Sequence, residues 1–270
     1  MVHKVWACSF CLRLIVPLVA AALCCACGTP SEPVSCDVIA AGRNYPEWQL
    51  FRINGSKQCK VLIEDPLEHS RQDSHPTVYT IFGDIAEKYA DGKVKEEVGL
   101  FEPLGRCEVR GDYRIADFSL LAEYLDAKCQ FLIAQVLAAG EMSVRTEHPW
   151  GTVARISSLS ITFRTDGDAD VQEFHVTDVA ECERLMAPVF ERGAVIKPQK
   201  DVRTLGSLVV AYRDGRQVSI DLVSPFGTVR VGDVTRKVDL SGLRQYVIDK
   251  CKYIAAVCQE ARDRPAKGRP

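Results

Sequence analysis

The chain has 270 residues, of which 47% are hydrophobic and 26% charged, with a formal net charge of -2. That is ordinary globular composition, long enough for one large or two small cores, and it excludes wholesale disorder. The near-neutral balance also excludes the basic excess on which non-specific nucleic-acid binding depends, so no nucleic-acid partner is expected.

Lys4 and Arg13 precede a mostly apolar stretch from Leu14 to Ala26, interrupted only by Pro17. A charged start followed by a short apolar run is the pattern of an export signal. Thirteen residues make about 20 Å of helix, too short for a roughly 30 Å hydrocarbon core, and no later stretch is long and apolar enough to span one. In Leu23-Cys24-Cys25-Ala26-Cys27-Gly28 small residues stand before a cysteine, and Thr29-Pro30-Ser31-Glu32-Pro33-Val34-Ser35 reads as a flexible polar tether, expected over 28–43. Residues 1–27 thus resemble the start of a bacterial lipoprotein precursor. The resemblance implies diacylglycerol attachment at Cys27, a membrane partner through N-terminal acyl chains, and an extracytoplasmic address in the cell envelope, at the inner or outer membrane. Leu23 stands four rather than three positions before Cys27, and Cys24 and Cys25 are further acceptors. Ordinary cleavage is the alternative, and would give a soluble secreted or periplasmic protein.

Beyond the signal the chain reads as two related units, 44–140 and 154–258, joined by a connection at 141–153 and followed by a polar tail at 259–270. In the first, Trp48 to Ile53, a turn at Asn54-Gly55 and Gln58 to Glu64 predict a hairpin, and residues 65–76 predict a loop. Ile85 to Tyr89 and Cys107 to Ile115 are strand candidates, and a helix is expected from Asp117 or Phe118 to about Ala139. In the second, Leu159, Ile161 and Phe163 alternate with polar residues as in a half-buried strand, and Val171 to Thr177 returns. Asp178 caps a helix running to about Phe190. Leu205 to Tyr212, Gln217 to Val223 and Thr228 to Val238 give strands, and Asp239 begins the last helix.

One pattern is written twice. Phe82-Gly83-Asp84-Ile85 and Tyr89-Ala90-Asp91-Gly92-Lys93 are answered by Leu205-Gly206-Ser207-Leu208 and Tyr212-Arg213-Asp214-Gly215-Arg216. Pro103, Gly105, Asp117, Leu121, Tyr124, Lys128 and Cys129 recur as Pro225, Gly227, Asp239, Leu243, Tyr246, Lys250 and Cys251, the offset slipping from 123 to 122 between Lys93 and Pro103. The expected fold is therefore α+β, a tandem duplication of a small unit in which a four- or five-stranded antiparallel sheet is packed by amphipathic helices.

Of the 12 cysteines, Cys36, Cys59, Cys107, Cys129, Cys182, Cys251 and Cys258 lie beyond the export region, an odd count. None is spaced C-x-x-C, which excludes a zinc ribbon and a thioredoxin-like site. Cys129 and Cys251 fall on the apolar stripes of their helices and read equally well as buried small hydrophobes or as bridge partners. The polar stretch from Glu64 to His75 offers His69, Asp73 and His75 as weak metal candidates without ligand spacing, so no metal and no cofactor is expected. Asp166-Gly167-Asp168-Ala169-Asp170 begins like a calcium loop but lacks its glycine and glutamate, and reads as a hairpin turn. The paired Asp117-Phe118-Ser119 and Asp239-Leu240-Ser241 are helix starts, Gly-x-Ser-x-Gly is absent, and no catalytic residue stands out.

The helix end Phe131-Leu132-Ile133-Ala134-Gln135-Val136-Leu137 is apolar almost all round, so it must be covered. Phe131, Leu132, Val136 and Leu137 are the candidate ligand or interface residues. The sequence thus supports an exported, lipid-anchored binding or structural module with a protein partner; its alternatives are a carrier of a lipid or other hydrophobic ligand, and an enzyme without a recognisable motif.

Overall fold

Fourteen strands form a single antiparallel sheet in this computed structural model, which describes residues 33–41, 47–74, 80–138, 150–164, 171–197 and 202–263. In chain order the elements are β1 (Ser35–Ala41), β2 (Trp48–Asn54), α1 (Ser56–Cys59), a π-helical turn (Lys60–Glu64), α2 (Asp65–Glu68), β3 (Arg71–Gln72), β4 (Thr80–Lys88), β5 (Val94–Glu102), β6 (Arg106–Val109), β7 (Asp112–Ile115) and α3 (Ser119–Leu137). They continue with β8 (Ile156–Arg164), β9 (Val171–Val176), α4 (Val179–Glu191), β10 (Gly193–Ile196), β11 (Thr204–Tyr212), β12 (Gln217–Val223), β13 (Thr228–Val231), β14 (Val234–Val238) and α5 (Ser241–Asp263). The spatial order is β10-β14-β13-β12-β11-β8-β9-β2-β1-β4-β5-β6-β7-β3.

The α+β class holds, but the separate four- or five-stranded sheets do not: each half supplies seven strands to one sheet, and β2 joins β9 in the middle. That seam runs from Trp48 opposite His175 to Arg52 opposite Val171, centred on Leu50 opposite Glu173. Ser35–Ala41, assigned above to the tether, is an inner strand between β2 and β4. Its alternation is hidden in the sequence because Asp37, Ile39 and Ala41 share the face opposite Cys36, Val38 and Ala40.

Gln58 to Glu64 is helical rather than the return of a hairpin, and 65–76 is not all loop, since the helix runs on through α2 and β3 follows. The apolar run Val61-Leu62-Ile63 suggested a strand by its composition. Cys59, Leu62 and Ile63 instead sit at helical spacing, all buried in one core. Pro66 has no N–H for the carbonyl four residues back, and the π-helical turn comes immediately before α2. The expected strands at Cys107 to Ile115 and Thr228 to Val238 each divide in two around a turn, with Arg110 and Gly111 at φ 53° and 87°, and Gly232 at φ 57°.

Asp178 is the N-cap of α4, whereas Phe118 holds that place in α3 and Asp117, one residue earlier, accepts a bond in a local turn. Asp178 accepts from the Glu181 N–H at 2.8 Å, Asp117 from Ser119 at 3.1 Å and Asp239 from Ser241 at 2.9 Å. Helix α3 packs along α5 over the middle of the sheet. Cys129 meets Cys251, and Asp126 meets Arg262 farther along α5 at 2.7 Å, so the two helices run in opposite directions. Residues from α1, the π-helical turn, α3, α4, α5 and one face of the strands make a single buried hydrophobic cluster, and Leu67 of α2 packs against it. Two glycines allow the sheet to bend: a Cβ on Gly83 would lie 1.7 Å from the Ile39 carbonyl oxygen, and one on Gly206 1.8 Å from that of Thr162, each beside a register shift.

Candidate binding face

The period of two that sends Cys36, Val38, Phe51, Ile53, Ile161 and Phe174 toward the helices sends their neighbours to the other face of the sheet. There Leu50 and Ala41, although buried, stand outside the main hydrophobic cluster. None of the described helices covers this face.

At the seam the face carries two clusters. Trp48 stacks on His175 across the β2–β9 ladder, with ring centroids 4.9 Å apart and planes inclined by 23°. The His175 Nδ1 lies 3.1 Å from the Ser160 hydroxyl on β8. Two strands away Asp37, 3% exposed, receives Arg52 Nε at 3.0 Å and Lys88 Nζ at 2.5 Å. The carboxylate holds the Arg52 guanidinium pKa above its ordinary value. Two cations share this carboxylate, Glu173 of β9 acts on Arg52 as well, and Arg52 and Lys88 are each more than a third exposed. A Ser hydroxyl on an imidazole is half of a nucleophile arrangement. Among the described residues no carboxylate holds the other nitrogen of His175. The face offers a stacked aromatic pair beside a half-buried guanidinium and ammonium, and of these the aromatic and guanidinium types are enriched at protein interfaces.

The residues singled out from the sequence lie elsewhere. Leu132 and Val136 are wholly buried on α3, Phe131 is half-buried, and Leu137 is 53% exposed. His69 is exposed with its Nδ1 2.8 Å from the Asp65 carbonyl oxygen, and Asp73 lies 3.7 Å from Arg106. Cys27, His75 and the Asp166 to Asp170 turn lie outside the described residues. Among the described residues no group of three or more His, Cys, Asp or Glu side chains could hold a metal ion, and no helix is long and apolar enough to cross a membrane.

Sequence reasoning missed Trp48, His175, Ser160, Asp37, Arg52 and Lys88. The signal was present for two of them, since Trp48 and Arg52 stand on the face of β2 opposite the buried Gln49, Phe51 and Ile53. Pairing His175 with Trp48 required the seam.

All seven described cysteines are buried free thiols. Burial pushes Cys107 up to about 11 and both Cys182 and Cys258 up to about 12. Cys36 lies beside Cys59, and Cys129 beside Cys251, each pair close enough for one thiol to shift the ionisation of the other. In the first pair the contact with Cys36 pulls the Cys59 thiol below its ordinary value and sends Cys36 far up. In the second, the contact with Cys251 and then burial raise Cys129. No protein family, curated protein or solved structure matches the chain.

Proposed function

We propose that this chain is an exported module of the bacterial cell envelope, held to a membrane by acyl chains on Cys27, that uses the uncovered face of its sheet to bind a protein partner. The observation that supports it is the placement of Trp48, His175, Arg52 and Lys88 together at the middle of a face that none of the described helices covers. Large apolar side chains point to the other face, where Leu132 and Val136 are enclosed by α3 and its neighbours. That packing favours a partner bound at the surface over a hydrophobic ligand carried inside.

We infer further that the two halves descend from one unit duplicated in tandem and fused through their edge strands. The repeated positions make repeated contacts. Tyr89 and Gly92 close a turn with bonds of 3.0 and 2.9 Å where Tyr212 and Gly215 close one with 2.9 and 3.0 Å, and both glycines have positive φ, 79° and 84°. Cys59 donates to the Ile53 carbonyl as Cys182 does to that of Val176. Gly83 and Gly206 press against Ile39 and Thr162, themselves 123 positions apart.

Fatty-acid labelling in the host checks the anchor: the wild type should be labelled and enter the detergent phase, and Cys27→Ser should do neither. Labelling that persists moves the acceptor to Cys24 or Cys25, and a wild type that is never labelled removes the anchor from the proposal. A photocrosslinker placed at Trp48 should trap an envelope protein that Arg52→Glu releases, whereas trapping indifferent to Arg52 removes the face.

A further inference from the structure

Two pairs of thiols touch, and their surroundings differ in a way that gives them meaning. Cys129 on α3 and Cys251 on α5 are 0% exposed, close enough to act on each other's ionisation, and 122 positions apart, so each holds in its own half the place the other holds in the second. A residue can meet its own counterpart only on the axis relating two equivalent halves. On the sheet below, Leu50 opposite Glu173 marks that axis too. The amide of Gln49, rising from the seam, reaches Cys251 Sγ at 3.9 Å, while Gln172 donates to the carbonyl of Lys128, beside Cys129, at 2.9 Å.

The other pair lies within the first half. Cys36 stands opposite Ile53 in the β1–β2 ladder, and Cys59 donates to the Ile53 carbonyl at 3.6 Å, so both sulfurs converge on one peptide unit. In the second half Cys182 makes the same bond to Val176 at 3.3 Å, but Leu159 occupies the place of Cys36. A thiol bonded to that carbonyl therefore needs no neighbouring thiol, and Cys36 is what turns a single cysteine into a pair.

We propose that Cys36–Cys59 and Cys129–Cys251 are two disulfide sites, closed by exchange with a protein or small-molecule disulfide, the second clasping the two halves across α3 and α5. Closure in the cell rests on the exported reading, because an oxidising compartment is where such bonds persist; the pairing itself does not. One thiolate of a pair attacks the oxidant's S–S bond and releases one oxidant thiol. The second thiolate of the pair then attacks the mixed disulfide and releases the other. Each closure takes two electrons and two protons from the protein, and the oxidant's disulfide is reduced to two thiols. Cys107, Cys182 and Cys258 remain as thiols, which accounts for the odd count.

Because the thiols are buried, access is removed as a variable by refolding. The full chain, as its host processes it, is unfolded and reduced, diluted into a buffer of oxidised and reduced glutathione, alkylated and digested without reduction. Peptides linked through Cys36–Cys59 and through Cys129–Cys251 are expected, with Cys107, Cys182 and Cys258 alkylated. Alkylation of all seven, or a Cys129–Cys258 link, overturns the assignment. Cys251→Ser should leave Cys36–Cys59 linked and Cys129 alkylated, and should lose part of the rise in thermal midpoint that oxidation gives the wild type; an undiminished rise overturns the clasp. Protein that refolds with both bridges but is recovered reduced from the host cytosol supports the pairing and removes the exported address. Lipidated protein from the envelope that never bridges does the reverse.

Discussion

Truncating Leu132 on α3 separates a helix end that is sealed by protein from one that waits for lipid. Leu132 is 0% exposed and lies in the continuous core, whereas Leu137, five residues on, is 53% exposed. Leu→Ala removes three carbons, about 0.8 kcal/mol each in transfer terms, and at Leu132 the hole left between α3 and its neighbours adds a cavity cost. The total expected for Leu132→Ala is about 2–5 kcal/mol, a large share of the roughly 5–15 kcal/mol a folded domain has. At Leu137 half the side chain already meets water and no enclosed hole forms, so Leu137→Ala should cost about 0.5 kcal/mol or less. Urea unfolding in reducing buffer, followed by tryptophan fluorescence, measures both through the midpoint at an unchanged slope. A Leu132→Ala variant costing less than about 1 kcal/mol, or a Leu137→Ala variant costing as much as Leu132→Ala, refutes the argument. Unchanged stability combined with lost flotation on vesicles would make the helix end a lipid contact instead.

Gly83→Ala and Gly206→Ala each drive a Cβ into a neighbouring strand's carbonyl, so both should cost about 3 kcal/mol or more or abolish soluble expression; Gly92→Ala and Gly215→Ala, with nothing within 4 Å, should cost only the roughly 1–2 kcal/mol of positive φ. Gln172→Leu removes both the 3.2 Å bond from Gln49 and the donor to Lys128, and unfolding should show a loss of about 1–3 kcal/mol, part of which returns in the Gln49→Leu/Gln172→Leu double variant. Burial works against ionisation of Asp239, but its bonds to Ser241 and Arg192 prevail and hold its carboxyl below the usual range. Its contribution is therefore complete above the unfolded value of about 3.9 and is lost as pH falls through the folded one. Asp239→Asn should narrow its stability gap to wild type across that window, and a gap constant with pH would contradict these bonds.

The second half was the more legible because its strands have one buried and one polar face, so Leu159, Ile161 and Phe163 announce themselves. In the first half the same architecture is written in ambiguous letters. Cys36, Val38 and Ala40 alternate with Ile39 and Ala41, both also apolar, so β1 carries no period and reads as tether. Lys60 to Glu64 combines β-branched residues with a helix whose spacing is distorted by a π-helical turn, and composition outweighed period. The repeated letters located turns and helix starts correctly because those positions answer to local backbone chemistry: Gly92 and Gly215 to positive φ, Asp117 and Asp239 to unpaired helix N–H groups. The seam answers to nothing local. Which strand edge finds which is decided by tertiary packing, so the pairing of Trp48 with His175, and with it the candidate face, could not be read from a window of sequence.

A strand edge of the kind β2 would present alone is a hazard, since its free N–H and C=O groups invite any other strand. Joining β2 to β9 removes two such edges at once and leaves as outer edges only the two-residue β3 and the four-residue β10. Register then becomes the problem. Apolar neighbours specify a face but tolerate a slip of two residues, because every side chain stays on its side of the sheet. Gln49 and Gln172 oppose one direction of that slip. Both are buried among apolar side chains, 2% and 1% exposed, and in the observed register the amide of one donates to the other while Gln172 also satisfies Lys128. A slip that pairs Gln49 with Val176 separates the two amides and leaves the bond between them unmade, at a cost of about 1–3 kcal/mol per group. A polar pair in the core thus biases a pairing that apolar packing leaves open, at a seam that carries Trp48 over His175 on one face and Cys129 beside Cys251 on the other.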